Sequence, residues 1–262
     1  MQLISLYQVD AFSKTPFKGN PAAVCPLNEW LPTSVMQSIA MENNLSETAF
    51  FVRDRDEFHI RWFTPLLEID LAGHPTLATA HVIFHELNYD KDNITFKTKL
   101  GDELRIDRDG EIINMDFPAR MPNKHDNIEL IKGAIDIEPI EFFSARDGVA
   151  VLRNETEVKE VIPSMDRISQ LNYTGLIVTA PGDSADFVSR FFAPQVGVPE
   201  DPVTGSAHCE LIPLWSSKLR KDCMVAKQLS NRGGTLYCEN KNNRVIIGGK
   251  AVTVMTGEMR IP

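Results

Sequence analysis

The sequence is poor in cysteine and shows no metal-binding pattern. Its four cysteines have no Cys-x-x-Cys spacing and are read as reduced thiols of a cytosolic protein: Cys25, Cys209, Cys223 and Cys238. His81 and His85 are four residues apart but lie in an apolar stretch without nearby acidic ligands. That setting favours core or helix-end histidines over metal ligands. The sequence also lacks a nucleotide-binding loop, so we expect neither a metal nor an organic cofactor.

The sequence also lacks an excess of positive charge and long apolar runs. The net charge of −9 argues against nonspecific binding to nucleic acid, which needs a basic surface. No apolar run approaches the ~18 residues of a membrane helix. The first ten residues have no basic region of the kind that begins a signal peptide. We therefore expect a folded cytoplasmic protein whose partner is a small molecule, with no nucleic-acid or membrane partner.

What the sequence does contain is an internal repeat. Glu57–Pro65 resembles Asp186–Pro194, with Phe, Arg, Phe and Pro at matching places. After each proline comes a loop, then a glycine (Gly73 or Gly205), then an apolar helix. A match that keeps the arginine, the proline and the glycine turn predicts an internal duplication.

The duplication predicts two halves of similar architecture. The proline-bracketed connection 117–122 is the candidate boundary, so the halves are 1–117 and 118–250. The tail 251–262 is expected to pack with the first half. The fold class predicted is α+β, with two pseudo-symmetric halves, each an antiparallel barrel-like sheet around a central helix.

The central helices are predicted over 75–87 and 206–218. They are almost entirely apolar, which is typical of helices surrounded by protein. A helix is also expected over 32–43, capped by Thr33 or Ser34, and a short helix within 127–139. Segment 157–161 is expected to be a short strand.

The starts of the central helices are candidate anion sites. Free backbone N–H groups at a helix N-terminus, supported by the helix dipole, suit a carboxylate or an enolate-like oxygen. If the two starts face each other across a cleft, a small acidic ligand could be held by the N–H groups of Gly73, His74, Gly205 and Ser206. Titratable groups near those starts could then move a proton.

Two further residues admit two interpretations each. Asn20, in a Gly-Asn-Pro turn, is either a simple turn residue or an amide that reaches a ligand. Glu47 follows the helix over 32–43 and precedes an apolar strand. It is either a solvated loop carboxylate, which the residues alone favour, or a partly desolvated acid suited to proton transfer.

Five motifs in order resemble those of the phenazine-biosynthesis PhzF-like proteins, which share the diaminopimelate-epimerase fold. The resemblance runs along the whole chain and rests on Gly19–Val24, Asn44–Phe50, Arg61–Pro65, Asp70–Ala80 and Glu200–His208. It implies a cofactor-free, metal-free isomerase and, since related proteins commonly pair, a homodimer.

The resemblance also implies roles for individual residues. Glu47 would be the base that removes a proton from a carbon beside an unsaturated system. His74 and Asp201 would assist proton movement or bind polar groups. The resemblance thereby favours the catalytic interpretation of Glu47. Substrate contacts would come from Asn20, Ser46, Gly73, Gly205 and Ser206.

Other functions stay open at this point. Related epimerases use two cysteines, one at each central helix start, but this chain has His74 and Ser206 near those starts and Cys209 one turn further in. A two-thiol racemase is therefore disfavoured, and Cys209 is read as a small core residue. The alternatives to an isomerase are an epimerase or racemase and a non-catalytic protein that binds a small ligand or a partner. The substrate is not apparent from these motifs.

Overall fold

The computed structural model describes residues 2–261. The strands are β1 (Gln2–Ala11), β2 (Asn20–Leu27), β3 (Glu47–Asp54), β4 (Glu57–Phe63), β5 (Glu68–Ile69), β6 (Asn93–Lys97), β7 (Glu103–Asp109), β8 (Ile112–Pro118), β9 (Asn123–His125), β10 (Glu141–Ser144), β11 (Gly148–Val151), β12 (Leu176–Pro181), β13 (Phe187–Ala193), β14 (Val198–Asp201), β15 (Cys223–Gln228), β16 (Gly234–Lys241), β17 (Arg244–Gly249) and β18 (Ala251–Ile261).

The helices are fewer and shorter. They are α1 (Thr33–Asn43), α2 (Gly73–His81), α3 (Glu155–Glu160), α4 (Met165–Ser169) and α5 (Gly205–Leu219). A π-helical segment, Val82–Glu86, continues α2, and Ile128–Ile131 and Pro194–Val196 are single 3-10 turns. Within residues 2–261, every helix is too short or too polar to cross a membrane.

The described residues divide into two compact units. The first runs to Asp116 and resumes at Gly248, and the second is Phe117–Ile247. The predicted halves met at 117/118 and ended at 250, within a few residues of these limits. In the first unit the last strand, β18, pairs antiparallel with the first, β1, from Gln2 opposite Ile261 to Ala11 opposite Ala251.

The two units repeat one order of strand pairings. In the first unit β1 pairs antiparallel with β2, β2 parallel with β3, β3 antiparallel with β4, and β4 parallel with β6. In the second unit β10, β11, β12, β13 and β15 repeat the same sequence of antiparallel and parallel pairs. The predicted α+β class with two pseudo-symmetric halves is confirmed. The sheets are mixed, because the helical crossovers between β2 and β3 and between β11 and β12 return the chain in the same direction.

The central helix of the first unit is α2, whose residues from His74 to Ala80 are all buried. Its two threonines make this burial possible. Thr76 Oγ1 donates to the carbonyl oxygen of Ala72 at 2.5 Å and Thr79 Oγ1 to that of Pro75 at 2.7 Å. Since each hydroxyl is satisfied inside the helix, the helix presents an apolar surface to β1, β2 and β3.

The corresponding helix of the second unit is α5, which is buried from Ala207 to Ser216. Trp215 anchors it, stacking on Phe187 with ring centroids 5.7 Å apart and donating from Nε1 to Thr179 Oγ1 at 2.9 Å. The helix ends at Arg220 in the left-handed conformation, with Lys218 in its last turn as the helix dipole favours.

Two local predictions were wrong. Segment 157–161 belongs largely to helix α3 and not to a strand, because Asn154 caps the helix by accepting from the N–H of Glu157 at 2.9 Å. Helix α1 has no side-chain cap from Thr33 or Ser34; Pro32 is its N-cap residue.

Candidate active site

Three predicted site residues of the first unit meet at the start of α2. Glu47 is the first residue of β3, Asn20 is the first residue of β2, and His74 is the second residue of α2. Because β2 and β3 are parallel neighbours, with Ala22 opposite Glu47, the two strands start at the same end of the sheet. The sheet register therefore explains why residues far apart in sequence converge.

His74 lies between the other two side chains. Its Nδ1 is 3.2 Å from Nδ2 of Asn20, and its Nε2 is 3.0 Å from Oε2 of Glu47. An amide nitrogen only donates, so Nδ1 is the acceptor and the imidazole proton of neutral His74 sits on Nε2. Nε2 is also the ring nitrogen that lies close to Glu47.

The contact between Glu47 and His74 is short but not yet aligned. The buried Oε2 of Glu47 lies within 3.0 Å of the imidazole nitrogen without meeting the angular requirement of a hydrogen bond. Glu47 keeps about 19% of its side chain exposed, whereas His74 keeps 7%. Catalytic hydrogen bonds often become aligned only when a substrate is bound. Glu47 is thus a partly desolvated carboxylate with one face open.

The turn before β2 fixes the position of Asn20. Gly19 has a φ of +70°, and a Cβ there would lie 2.1 Å from the carbonyl oxygen of Ala11, so only glycine fits. The buried carboxylate of Asp10 accepts from the N–H of Phe17 at 2.6 Å and ties the same turn to β1. Asn20 is itself fully buried.

In the second unit, Asp201 belongs to a network before α5. Its Oδ2 accepts from Thr204 Oγ1 at 2.5 Å. Gln228 donates to the backbone oxygen of Asp201 at 2.7 Å and accepts from the N–H of Thr204 at 2.9 Å. These bonds hold the loop 201–204 against β15. Asp201 ends β14 and is half-buried.

Ser206, the second residue of α5, has a charged neighbour. Arg146 Nη2 donates to Ser206 Oγ at 2.9 Å and also to Asp147 Oδ2 at 3.0 Å. Asp147 is fully buried, and burial raises the pKa of its carboxyl group although Arg146 opposes the rise. Arg146, Asp147, Thr204 and Gln228 were not among the predicted site residues.

In the part of the chain that the structure describes, neither central helix has an N-cap residue whose side chain caps it. The N-cap positions are Ala72 for α2 and Thr204 for α5, and neither side chain bonds to the first turn. The N–H groups that follow Gly73 and Gly205 are therefore not occupied by a cap. Ser46, the remaining predicted site residue, is half-buried beside Glu47 in the chain.

Cys209 has the character of a core residue. It is buried, and burial raises the pKa of its thiol to about 11. A thiol that stays protonated near neutral pH is a poor base. Within residues 2–261 no three His, Cys, Asp or Glu side chains are grouped to hold a metal ion. The absence of a metal or organic cofactor stays a prediction.

Comparison with known proteins supplies the family. The family model described as phenazine biosynthesis-like protein, PhzC-PhzF, matches residues 9–257. The chain belongs to the PhzC-PhzF family. An isomerase of Pseudomonas aeruginosa, named as uncharacterized, is 46% identical over 100% of both chains. The resemblance inferred from the five motifs is thereby confirmed.

Solved structures support the same assignment. A PhzF-family protein from Enterococcus faecalis has a TM-score of 0.97 and 44% identity, covering 99% of this chain and 100% of that one. A hydroxyproline epimerase from Agrobacterium vitis has a TM-score of 0.60 and 7% identity, covering 98% and 92%. At 7% identity the similarity to the epimerase concerns the fold alone. The PhzC-PhzF chain therefore shares its fold with that epimerase.

Proposed function

We propose that this protein is a cofactor-independent isomerase that moves a proton on a small, carboxylate-bearing substrate, with Glu47 as the general base. The observation that carries the proposal is the line of Asn20, His74 and Glu47, in which Nε2 of His74 lies 3.0 Å from Oε2 of Glu47. A base needs a lone pair, partial desolvation and an oriented neighbour, and Glu47 has all three.

The proton transfer needs no group beyond this line. The Glu47 carboxylate takes a proton from a carbon beside an unsaturated system, and the electron pair moves into that system. The carboxylic acid so formed returns the proton to another carbon. The Nε2–H of His74 stabilises the carboxylate before and after the transfer, and Asn20 keeps the tautomer that makes this possible.

The second unit supplies groups suited to binding. Asp201 is assigned to polar contacts and secondary proton movement. The uncapped first turn of α5, at Gly205 and Ser206, suits a carboxylate, as does the first turn of α2 at Gly73. That the substrate lies in a cleft between the two halves stays a prediction.

Solvent exchange tests the proposal directly. The protein is incubated in D2O with a panel of small unsaturated cyclic carboxylates and amino acids, and deuterium is located by NMR and mass spectrometry. We expect uptake of one deuterium at carbon with the parent protein and none with Glu47→Gln. Compounds that bind the parent protein without exchanging any proton at carbon would contradict an isomerase of this kind.

A biosynthetic role, a cytoplasmic location and a homodimeric state remain predictions. The homodimer is proposed on family resemblance alone. Light scattering at micromolar concentration tests it, because a monomer would give 29.4 kDa. A mass at that value would reject the dimer.

A further inference from the structure

The second unit contains an arginine that is held in place by two buried carboxyl groups. Arg146 precedes β11 and reaches the first turn of α5, where Nη2 donates to Ser206 Oγ at 2.9 Å. About 36% of its side chain is exposed, and Nη1 makes no hydrogen bond to the described residues. One nitrogen is therefore anchored while another is available to a ligand.

Asp147 orients the guanidinium group. Its Oδ2 accepts from Nη2 at 3.0 Å and from Nε at 3.3 Å, which fixes the plane of the group. Asp147 is fully buried. Burying a carboxylate costs free energy that an ion pair with a partly exposed arginine does not fully offset.

Glu210 fixes the backbone that carries both residues. Its Oε1 accepts from the N–H groups of Arg146 and Asp147, each at 3.2 Å. Glu210 lies one turn after Ser206 on α5 and is fully buried. The turn before β11 is thus fastened to the helix whose N-terminus Arg146 approaches.

Other positive charges lie near the same turn of α5. Burial raises the pKa of the Cys209 thiol, and the positive charges of Arg120, Arg146 and Arg244 oppose that rise. The charge of Arg120 likewise opposes the rise that burial causes in the pKa of Asp147. The backbone N–H of Arg120 donates to the carbonyl oxygen of Cys209 at 2.8 Å. Arg120 and Arg146 therefore both lie close to the buried carboxyl group of Asp147, which orients the guanidinium group of Arg146.

We propose that Arg146 is a specificity-determining residue that binds the substrate carboxylate at the first turn of α5, with Asp147 and Glu210 as its positioning residues. The proposal rests on the proposed function for the statement that the anion is a substrate group. The two N–H bonds of Nη1 lie in the plane that Asp147 fixes, whereas a lysine ammonium has no planar group that Asp147 could orient. The site should therefore discriminate a carboxylate from an uncharged amide of the same shape.

The experiment compares two probes, anthranilate and anthranilamide, which differ at one substituent, a carboxylate in the first and an uncharged carboxamide in the second. Their affinities are measured by NMR titration for the parent protein and for each variant. We expect the parent protein to prefer anthranilate by at least about tenfold, as for a charge-assisted pair. Arg146→Met should remove the preference, and Arg146→Lys should retain only part of it.

Further variants separate positioning from folding. Asp147→Asn should reduce the preference for anthranilate over anthranilamide, whereas a purely structural role would weaken both probes equally. Lys124→Met is the matched control, because Lys124 lies in the second unit and pairs with Glu141 at 2.9 Å. It should keep the full preference. If Arg146→Met failed to fold, Arg146→Lys would still report the loss of the oriented guanidinium group.

The outcome is independent of turnover. Glu47→Gln should keep the preference for anthranilate, so a failure of deuterium exchange would leave this binding result standing. No preference in the parent protein, or an unchanged preference in Arg146→Met and Arg146→Lys, would overturn the assignment of Arg146.

Discussion

The two central helices begin alike but have different side chains at their starts. The second residue of α2 is His74, contacted by Asn20 at the start of β2. The second residue of α5 is Ser206, contacted by Arg146 from the turn before β11. One start carries groups that can move a proton, and the other carries groups that can hold an anion. The two units thus share the order of their strand pairings but differ in the side chains at the starts of their central helices.

The sharpest difference concerns the proposed base. Arg61 pairs with Phe50, three residues after Glu47, and its counterpart Arg190 pairs with Val178, three residues after Gly175. Gly175 therefore occupies the place of Glu47. A Cβ at Gly175 would lie 2.4 Å from the ring of Phe191, so the second unit has no room for a side chain there. The second unit therefore has no carboxylate at the place where the first unit has Glu47.

The largest expected effect is the loss of deuterium exchange when the proposed base, Glu47, is replaced. Glu47→Gln keeps the shape and one acceptor oxygen but cannot carry the proton, so exchange of solvent deuterium should fall by at least ~10²-fold. Affinity should change little. Single-turnover exchange into a bound ligand is the measurement, with Asp201→Asn as the matched variant of the second unit. If Asp201→Asn lost exchange while Glu47→Gln kept it, the base would lie in the second unit.

The buried carboxyl group of Glu210 should make the second unit sensitive to pH. Burial, with the charge of Asp147 adding to it, raises the pKa of Glu210 from 4.5 to about 7. The folded state then keeps a proton that the unfolded state releases between these values. The free energy of unfolding therefore falls as pH rises through that window, by about 2 to 3 kcal/mol.

Glu210→Gln should remove this fall. The quantity to measure is the difference in unfolding free energy between variant and parent, from urea denaturation at pH 4.5 to 8. His81 and His208, whose pKa values burial lowers to about 4, stabilise both proteins as pH rises and cancel in the difference. Glu258→Gln, at an exposed position of the first unit, is the control. A difference that stays constant with pH would contradict the expectation.

A side chain at Gly175 should destabilise the second unit. Gly175→Ala places a methyl group against the Phe191 ring and 2.9 Å from the carbonyl oxygen of Phe192. Overpacking of this kind costs about 2 kcal/mol. Gly257→Ala is the control, because nothing lies within 4 Å of a Cβ there. Equal stability of the two variants in chemical denaturation would show that the site can open for a side chain.

The smallest expected effect concerns the arginines that the repeat preserves. Arg61 pairs with Glu68 at 2.7 Å and Arg190 with Glu200 at 2.7 Å. Arg190 also donates to the carbonyl oxygens of Val158 and Val161, at the end of α3. Arg190→Met should therefore lower the unfolding free energy by about 1 kcal/mol more than Arg61→Met. Equal losses would mean that the bonds to α3 contribute nothing.

Local patterns predicted the framework well. The two copies of the internal repeat contain β4 and β13, and the predicted α+β class is confirmed, because glycine turns and the repeated Arg-Pro segment are local signals. Helix α3, which covers most of the segment 157–161 predicted as a strand, does have a local sequence signal. Asn154 followed three residues later by Glu157 is a capping pattern, and Glu157 bonds back to the N–H of Arg153 at 2.8 Å.

The site was only partly accessible from sequence. Family motifs grouped Asn20, Glu47 and His74, and the structure brings these three together. Their catalytic roles stay predictions. The contacts of Glu210 with the turn before β11 join residues more than sixty positions apart. No local signal marks such a pairing, because it depends on the three-dimensional approach of α5 to that turn.

The pairing of β1 with β18 has a consequence for biosynthesis. As the chain leaves the ribosome, β1 is made before the second unit, but β18, which pairs antiparallel with β1, emerges after the whole of that unit. The second unit, continuous in sequence, can fold while the first still has an open strand edge. Such an edge is open to pairing with other chains. Nascent chains that stall before residue 251 should therefore depend on chaperones, and completion of the last strand should relieve that dependence.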